Sequence, residues 1–226
     1  MFRTTSQPKR LPPNPVLLIG RDKEKQAVVN SILRHESCII CGTGGIGKTN
    51  LALAALHDDQ VKQKFGLQQY FLNCETSITV QAFFIGLADM LGISQEQNNT
   101  NLRDSILNTL SDLISAHGDV VLCLDNFETV WDPPASRIQV ESALSDLDQQ
   151  PNLSLIVTMR GSTLPHGVMW SDAVADSLPP LSFPDAFAVF QQHSHCLEDD
   201  VFAKELVTAA SGVPLVLTLL GSLANG

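Results

Sequence analysis

The distribution of apolar residues along the chain predicts two kinds of segment that alternate. Short, mainly apolar runs are typical of parallel strands buried on both faces. Such runs occur at Ser37–Cys41, Val120–Leu124 and Leu153–Val157, and further strand candidates lie at Gln69–Asn73 and Ala173–Leu178. Helical spacing of apolar residues falls before, between and after these runs, at Asp22–Arg34, Lys48–Leu56, Val80–Leu91, Leu102–Ala116 and Ile138–Leu147. This alternation predicts an α/β fold in which helices cover both faces of a parallel sheet.

The pattern changes at the pair Pro179–Pro180. Beyond it the chain has only helical spacing, at Pro184–Gln192, Val201–Ala210 and Pro214–Ala224. Such a shift marks a domain boundary. We therefore expect an extended arm over residues 1–15, an α/β domain over 16–178 and a small helical domain over 179–226.

Composition restricts the partners and the compartment. The chain has 226 residues, a hydrophobic fraction of 44% and a formal net charge of −10, which is typical of a globular protein and argues against unspecific binding to nucleic acid or anionic lipid. The longest apolar stretch, Val213–Leu223, is too short to span a bilayer, and polar Met1–Arg10 does not resemble a signal peptide. Five scattered cysteines indicate a reducing compartment. We expect a cytoplasmic protein.

Two groups of cysteine and histidine residues raise the question of a metal site. Cys38 and Cys41 form a C-x-x-C pair, but no second pair follows at a zinc-binding spacing. We interpret them as small buried residues of a strand. His193 and His195 lie close to Cys196, where a solvated polar cluster is the more ordinary interpretation than a metal site.

A glycine-rich motif carries the strongest chemical signal. The pattern G-x-x-x-x-G-K-[ST] is matched by Gly42, Thr43, Gly44, Gly45, Ile46, Gly47, Lys48 and Thr49, with Asn50 next in the helix. Glycines let successive backbone N–H groups point at phosphate oxygens, and the following helix adds the positive end of its dipole. Lys48 would reach the β- and γ-phosphates, and Thr49 would offer its hydroxyl to Mg²⁺. The apolar strand before the motif and the helix after it are the context that a phosphate loop requires. The motif predicts a nucleoside triphosphate site, most simply for ATP with Mg²⁺.

Two acidic residues follow the run Val120–Leu124. Asp125 ends the predicted strand and is the natural second anchor for Mg²⁺, opposite Thr49. Glu128 is a candidate for orienting or activating the attacking water. A carboxylate on a solvated turn is the alternative for Glu128, and the sequence leaves both interpretations open.

Arg160 follows the strand that contains Leu153–Val157. An arginine at the carboxyl end of a parallel strand faces the crevice in which ligands bind. Arg160 would then contact the γ-phosphate and distinguish a triphosphate from a diphosphate. The alternative is a surface arginine in a salt bridge.

Several of these motifs together resemble a known family. The segments GTGGIGKTNLALA, VVLCLDNFE, LSLIVTMR and SGVPLVL, in this order, resemble the STAND class of P-loop ATPases, most closely its NB-ARC type from plant resistance proteins and related fungal receptors. Leu18–Glu24 resembles the hhGRExE element of that class, with Asp22 in place of its first Glu. The resemblance implies the three-layer P-loop NTPase fold followed by a helical domain. It further implies that Ile19, Gly20 and Arg21 flank the base, that Pro214 packs near the adenine, and that Arg160 is the sensor arginine.

The resemblance also implies a function. Members are switches of innate immune signalling that are closed with ADP and self-associate with ATP, and they hydrolyse ATP slowly. It implies that this chain ends inside the helical domain, so that a winged helix, sensor repeats and an effector domain lie outside it. Asn126 departs from the second Asp usual in plant members, which directs our hypothesis of a catalytic carboxylate to Glu128.

Rival classes lack their own signals. A signalling GTPase would carry N-K-x-D, which does not occur in the sequence. An AAA+ motor would carry an arginine in its helical lid, whereas Lys204 is the only Lys or Arg after Arg160. A binding module that never hydrolyses its nucleotide stays open, because bound ligand alone stabilises a fold.

Overall fold

Four parallel strands form the sheet in the part of the chain that the structure describes. The computed structural model describes residues 11–16, 18–93, 101–171, 177–194 and 200–224. Its strands are β1 (Cys38–Cys41), β2 (Gln69–Asn73), β3 (Val120–Asp125) and β4 (Leu153–Met159), in the order β1-β4-β3-β2. β1, β3 and β4 are buried along their whole length, as their mainly apolar sequences predicted. Because β4 lies between β1 and β3, the residues that end it lie between those that end its two neighbours.

Helices cover both faces of the sheet and form two hydrophobic cores with it. One face packs against α1 (Asp22–Leu33), α2 (Lys48–Leu56) and α3 (Asp59–Phe65). The other packs against α4 (Val80–Met90), α5 (Leu102–His117), α6 (Glu128–Trp131) and α7 (Pro134–Asp148). Neighbouring strand residues such as Ile39 and Ile40 are buried in opposite cores, as the alternation of side chains along a strand requires. The predicted three-layer α/β fold is therefore confirmed.

The structure also differs from the predicted elements. α3 and α6 were not predicted, and α7 begins at Pro134 instead of Ile138 because proline is favoured in the first turn of a helix. Of the strand expected at Ala173–Leu178, residues 172–176 lie outside the described part of the chain. Leu178 is described, and its N–H donates to the carbonyl of Cys41 at 2.9 Å, so the chain runs beside the end of β1.

The last three helices share a separate small core. They are α8 (Phe183–Ser194), α9 (Val201–Ala209) and α10 (Pro214–Ala224), and Phe190, Val207 and Leu217 are buried between them. Arg21, which precedes α1, contacts the segment before these helices. Its buried guanidinium donates to the carbonyl of Pro179 at 2.6 Å. The three helices are therefore attached close to the end of the sheet where β1 enters α2.

The described cysteines are free and buried, at positions 38, 41, 74 and 123. Burial raises the pKa of the Cys38 thiol to about 12, which makes it unreactive at neutral pH. His195 and Cys196 lie outside the described residues. Within the described ranges, no helix combines the length and the apolar character needed to cross a membrane.

Candidate functional site

The loop between β1 and α2 has the backbone of an anion site. Gly45 and Gly47 have φ angles of +76° and +100°, a left-handed region that glycine enters without steric cost. α2 begins at Lys48, and no side chain caps its first amides, so these N–H groups are available to a ligand. Ile46 is buried in the core beneath and anchors the loop. The residues predicted for a phosphate loop therefore form a sharp turn at the amino end of a helix.

Lys48 lies inside this turn. Its Nζ donates to the carbonyls of Gly42 at 2.9 Å and Thr43 at 3.0 Å. Burial lowers the pKa of Lys48, and the nearby carboxylate of Glu128 opposes that shift. The amine therefore sits against the carbonyl oxygens of the loop, in a place from which it can bind a polyanion.

Thr49 and Asp125 are in direct contact. The Thr49 hydroxyl lies 2.8 Å from Oδ1 and 3.1 Å from Oδ2 of Asp125, and it donates to this carboxylate. Burial raises the pKa of Asp125, while hydrogen bonds from Thr158 and Thr49 oppose the shift. A hydroxyl and a carboxylate are hard oxygen donors, and Mg²⁺ is commonly held by one or two such groups together with substrate phosphates and water. The donor set fits Mg²⁺, and the described residues contain no cluster of three or more His, Cys, Asp or Glu side chains that offers another metal site.

Thr158 completes this contact and was not predicted. Its hydroxyl donates to Asp125 Oδ1 at 2.6 Å and accepts from the N–H of Asn126 at 3.1 Å. Thr158 is fully buried in β4. In the sequence it looks like an ordinary β-branched strand residue, and only the pairing of β4 with β3 places it beside Asp125.

Glu128 and Arg160 form an ion pair beside the loop. Arg160 Nε lies 3.2 Å from Glu128 Oε1, and the Arg160 N–H donates to Oε2 at 3.2 Å. Glu128 is buried at the start of α6, so it is not the solvated turn carboxylate that was one alternative. The Arg160 side chain is 67% exposed, and its guanidinium carbon lies 3.5 Å from the position a Cβ on Gly44 would take. Arg160 is thus both salt-bridged and adjacent to the phosphate loop.

A cleft of about 260 Å³ opens beside the loop. Residues predicted to flank a base, to form the phosphate loop or to follow it contribute to its wall, namely Ile19, Arg21, Ile46, Gly47, Asn50 and Pro214. Gly20 is not part of the wall. It packs against α8, where a Cβ would lie 2.5 Å from the Asp185 side chain. The remaining wall residues were not predicted, and they are Pro15, Val16, Leu18, Leu181, Val189, His193 and Thr218.

α10 contacts the phosphate loop itself. The N–H of Leu215 donates to the carbonyl of Gly45 at 3.2 Å. A Cβ on Gly45 would lie 2.8 Å from Leu215 Cβ, and one on Gly47 would lie 4.0 Å from Pro214 Cγ. The start of the last helix therefore lies directly on the turn that would hold phosphates.

This arrangement defines a class of protein. A glycine-rich turn between a buried strand and a helix, facing a strand-end aspartate across a parallel sheet, is the site of a P-loop nucleotide-binding NTPase domain. Residues 15–179 match the family described as Novel STAND NTPase 1, and the chain belongs to this family. No curated protein is significantly similar to the chain in sequence.

Solved structures share the fold at low sequence identity. A Walker-type ATPase of Pyrococcus abyssi has a TM-score of 0.67 at 14% identity, over 96% of this chain and 70% of that one. The Aeropyrum pernix ORC1 protein, solved in complex with DNA, has a TM-score of 0.67 at 15% identity, over 93% and 61%. The Aeropyrum pernix ORC2 protein, solved as ADPNP-ADP complexes, has a TM-score of 0.62 at 18% identity, over 91% and 62%. The chain thus spans less than two thirds of the ORC1 and ORC2 chains.

Proposed function

We propose that this domain binds ATP and ADP with Mg²⁺ and acts as the nucleotide-dependent switch of a larger signalling receptor of the NB-ARC type. The observation that carries the proposal is the hydrogen bond from Leu215 to Gly45. A nucleotide can control the position of the helical segment only if that segment contacts the site where the phosphates bind. α10 meets this condition, because its first residues lie on the phosphate loop and line the adjoining cleft.

Each part of the site has a role in this proposal. The amides of Gly42–Gly47 and the amine of Lys48 bind the phosphates, while Thr49 and Asp125 hold Mg²⁺, which supplies positive charge to the phosphate oxygens. The base lies in the cleft, between the segment of Ile19 and Arg21 on one side and Asn50 and Pro214 on the other. The ADPNP-ADP complexes of the ORC2 neighbour are in line with an adenine nucleotide on this fold.

The triphosphate is distinguished from the diphosphate by Arg160. Its guanidinium is largely exposed and lies beside Gly44, so a γ-phosphate can compete with Glu128 for it. Reversing a 1:99 population requires roughly 5.5 kcal/mol of differential affinity. An arginine–phosphate pair together with a metal ion is of the order needed.

The same domain would work with partners in a receptor. We propose that a winged helix, sensor repeats and an effector domain adjoin it in the cytoplasm, and that the ATP state self-associates. Nucleic acid is not among the expected partners. The ORC1 neighbour was solved with DNA, but a net charge of −10 opposes contacts to a phosphate backbone.

A second candidate is a module that binds nucleotide without hydrolysing it. Two contacts favour it. Glu128 is engaged by both the backbone and the side chain of Arg160, so it is not free to activate water in this arrangement. Asn126, which replaces an acidic residue of plant members, donates its side-chain N–H to Asp125 Oδ2 at 3.3 Å and has no basic group to offer.

Hydrolysis of labelled ATP distinguishes the two candidates. The purified protein is incubated with ATP and Mg²⁺ for hours, and ADP is measured against Lys48→Ala. Lys204→Ala is the matched control, because it removes an exposed lysine of α9. Turnover that depends on Lys48 and not on Lys204 supports the slow ATPase, and bound but unchanged ATP supports the module. If neither ATP nor ADP binds in a manner that depends on Lys48, both candidate functions are refuted. If GTP binds as tightly as ATP, the proposal that the cleft is specific for adenine is refuted.

A further inference from the structure

Two helices, α8 and α10, each contribute a pair of residues to the wall of the cleft beside the phosphate loop. The two residues of each pair are one helical turn apart. Val189 and His193 line the cleft from α8, and Pro214 and Thr218 line it from α10. Residues four apart project from the same face of a helix. Each helix therefore presents one apolar residue and one polar residue to the cleft.

Val189 and Pro214, the apolar residues of the two pairs, can pack against the face of an aromatic ring. Pro214 adjoins Gly47 of the phosphate loop, and Ile19 and Ile46 also contribute apolar wall. Ligand sites of this kind are mostly apolar, with a few placed polar groups that fix the orientation and the specificity. The polar groups of this cleft thus determine which base it accepts.

Most of the polar side chains around the cleft are unsuited to reading a base. Arg21 already donates to Pro179 and pairs with Glu24. Asn50 is an exposed residue in the first turn of α2, next to the phosphate loop. Among the residues that the structure describes, the His193 ring has no hydrogen-bond partner.

His193 is held in place by the packing of α8 against α10. A Cβ on Gly221 would lie 2.8 Å from His193 Cβ, so the glycine allows the two helices to approach closely at this point. The ring is half-buried and on the cleft side of α8. Its position is consequently defined by backbone packing, while its nitrogens stay available.

We propose that His193 hydrogen-bonds the edge of the nucleotide base and gives the site a preference for adenine. The inference rests on the proposed function, since it requires a nucleotide in the cleft. A neutral imidazole has one donor and one acceptor nitrogen. Adenine presents an amino donor beside a ring acceptor, whereas guanine presents a carbonyl oxygen at the amino position. The imidazole nitrogen that accepts from the adenine amino group meets an acceptor in guanine, so it can bond guanine only after the ring changes to its other tautomer, and this change makes the contact less favourable for guanine.

Calorimetric titrations with ADP, GDP and inorganic pyrophosphate test this on wild type and His193→Leu. Loss of one hydrogen bond is expected to weaken ADP binding about threefold to tenfold, with a smaller loss of GDP affinity and an unchanged pyrophosphate affinity. His193→Gln, which keeps a donor and an acceptor, is expected to retain most of the preference. His117→Leu, at an exposed histidine that ends α5, is the matched control.

The probes separate the possible failures. If ADP and pyrophosphate bind but the ratio of ADP to GDP affinity is the same in wild type and His193→Leu, the inference is wrong and the nucleotide site stands. If wild type binds neither ADP nor pyrophosphate, the proposed function fails and this inference with it. If wild type binds pyrophosphate and His193→Leu does not, the leucine variant is misfolded. In that case His193→Ser, whose side chain is too short to reach the base, replaces the leucine variant, and its ratio of ADP to GDP affinity is compared with that of wild type.

Discussion

Glu128 holds Arg160 by two contacts, a hydrogen bond from the Arg160 backbone N–H to Oε2 and an ion pair between the guanidinium and Oε1, each at 3.2 Å. The first fixes the end of β4 against the start of α6. The second engages the side chain that lies nearest to the exposed turn at Gly44. Because only the second can be broken without moving the backbone, the guanidinium can exchange Glu128 for an incoming anion while the strand end stays in place.

Replacing Arg160 with alanine is expected to lower the affinity for ATP more than that for ADP. A hydrogen bond to a charged group contributes roughly 1.5–3 kcal/mol, so the ratio of ATP to ADP affinity should fall at least about tenfold. Equilibrium titration of both nucleotides with Mg²⁺ measures this ratio. Arg34→Ala is the control, since Arg34 is also exposed and paired with a glutamate, Glu36. An unchanged ratio in Arg160→Ala would show that Arg160 is not the sensor.

Replacing Thr158 with valine is expected to destabilise the fold and weaken Mg²⁺-dependent nucleotide binding. The substitution keeps the shape of the side chain but removes the donor to buried Asp125 and the acceptor for the Asn126 N–H. The free energy of unfolding should fall by about 2 kcal/mol, measured by urea denaturation without nucleotide. Thr158→Ser keeps the hydroxyl and should lose less. Equal losses in the two variants would mean that packing, and not the hydroxyl, determines the effect.

Replacing Gly45 with alanine is expected to disturb the contact between α10 and the phosphate loop. Gly161→Ala is a close control, because Gly161 has a φ of +90° against +76° for Gly45, and a Cβ there would have no heavy atom within 4 Å. Both variants should lose roughly 1–2 kcal/mol of stability from the left-handed backbone. Only Gly45→Ala brings a Cβ within 2.8 Å of Leu215, and we expect a further loss and weaker ADP binding there. If both variants bind ADP equally well, the loop and α10 are not coupled through this contact.

The predicted elements and the observed ones agree where burial alone determines structure. The apolar runs of β3 and β4 and the helix Lys48–Leu56 followed directly from their residue patterns. α3 was missed because its seven residues are mostly polar and it depends on a local cap, in which the Asp58 side chain accepts from the N–H of Gln60. A short capped turn leaves no periodic signal in the sequence.

The residues of the candidate site likewise fall into those that the sequence could predict and those that it could not. The phosphate loop and Asp125 could be predicted because their chemistry demands particular residues at particular spacings. Thr158 and His193 could not, since their neighbours are distant in sequence and each is an ordinary residue of its own strand or helix. The pairing of Glu128 with Arg160 depends on the order of the strands, which places the end of β4 beside the end of β3.

The last prediction concerns pH and His35, which lies at the opposite end of the sheet. Its Nε2 is 3.2 Å from Asp119 Oδ1 and 2.8 Å from Lys64 Nζ, and its Nδ1 is 3.3 Å from the Ser154 hydroxyl. Burial lowers the pKa of His35 below its ordinary value of 6.5, Lys64 lowers it further, and Asp119 opposes the shift. The unfolded chain therefore binds a proton at a higher pH than the folded chain does. Stability should fall as the pH drops through 6.5 and continue to fall until the pH reaches the pKa of the folded state.

The variant His35→Asn isolates this contribution from other titrating groups. Asparagine tolerates the positive φ of +58° at this position and does not titrate. The free energy of unfolding of wild type and variant, measured by urea denaturation from about pH 8 to about pH 5, should converge as the pH falls, because only wild type loses the His35 contribution. His117→Asn, at an exposed histidine, should stay parallel to wild type. Parallel curves for His35→Asn as well would show that the His35 ring takes up a proton in the folded chain as readily as in the unfolded one, with Asp119 outweighing burial and Lys64.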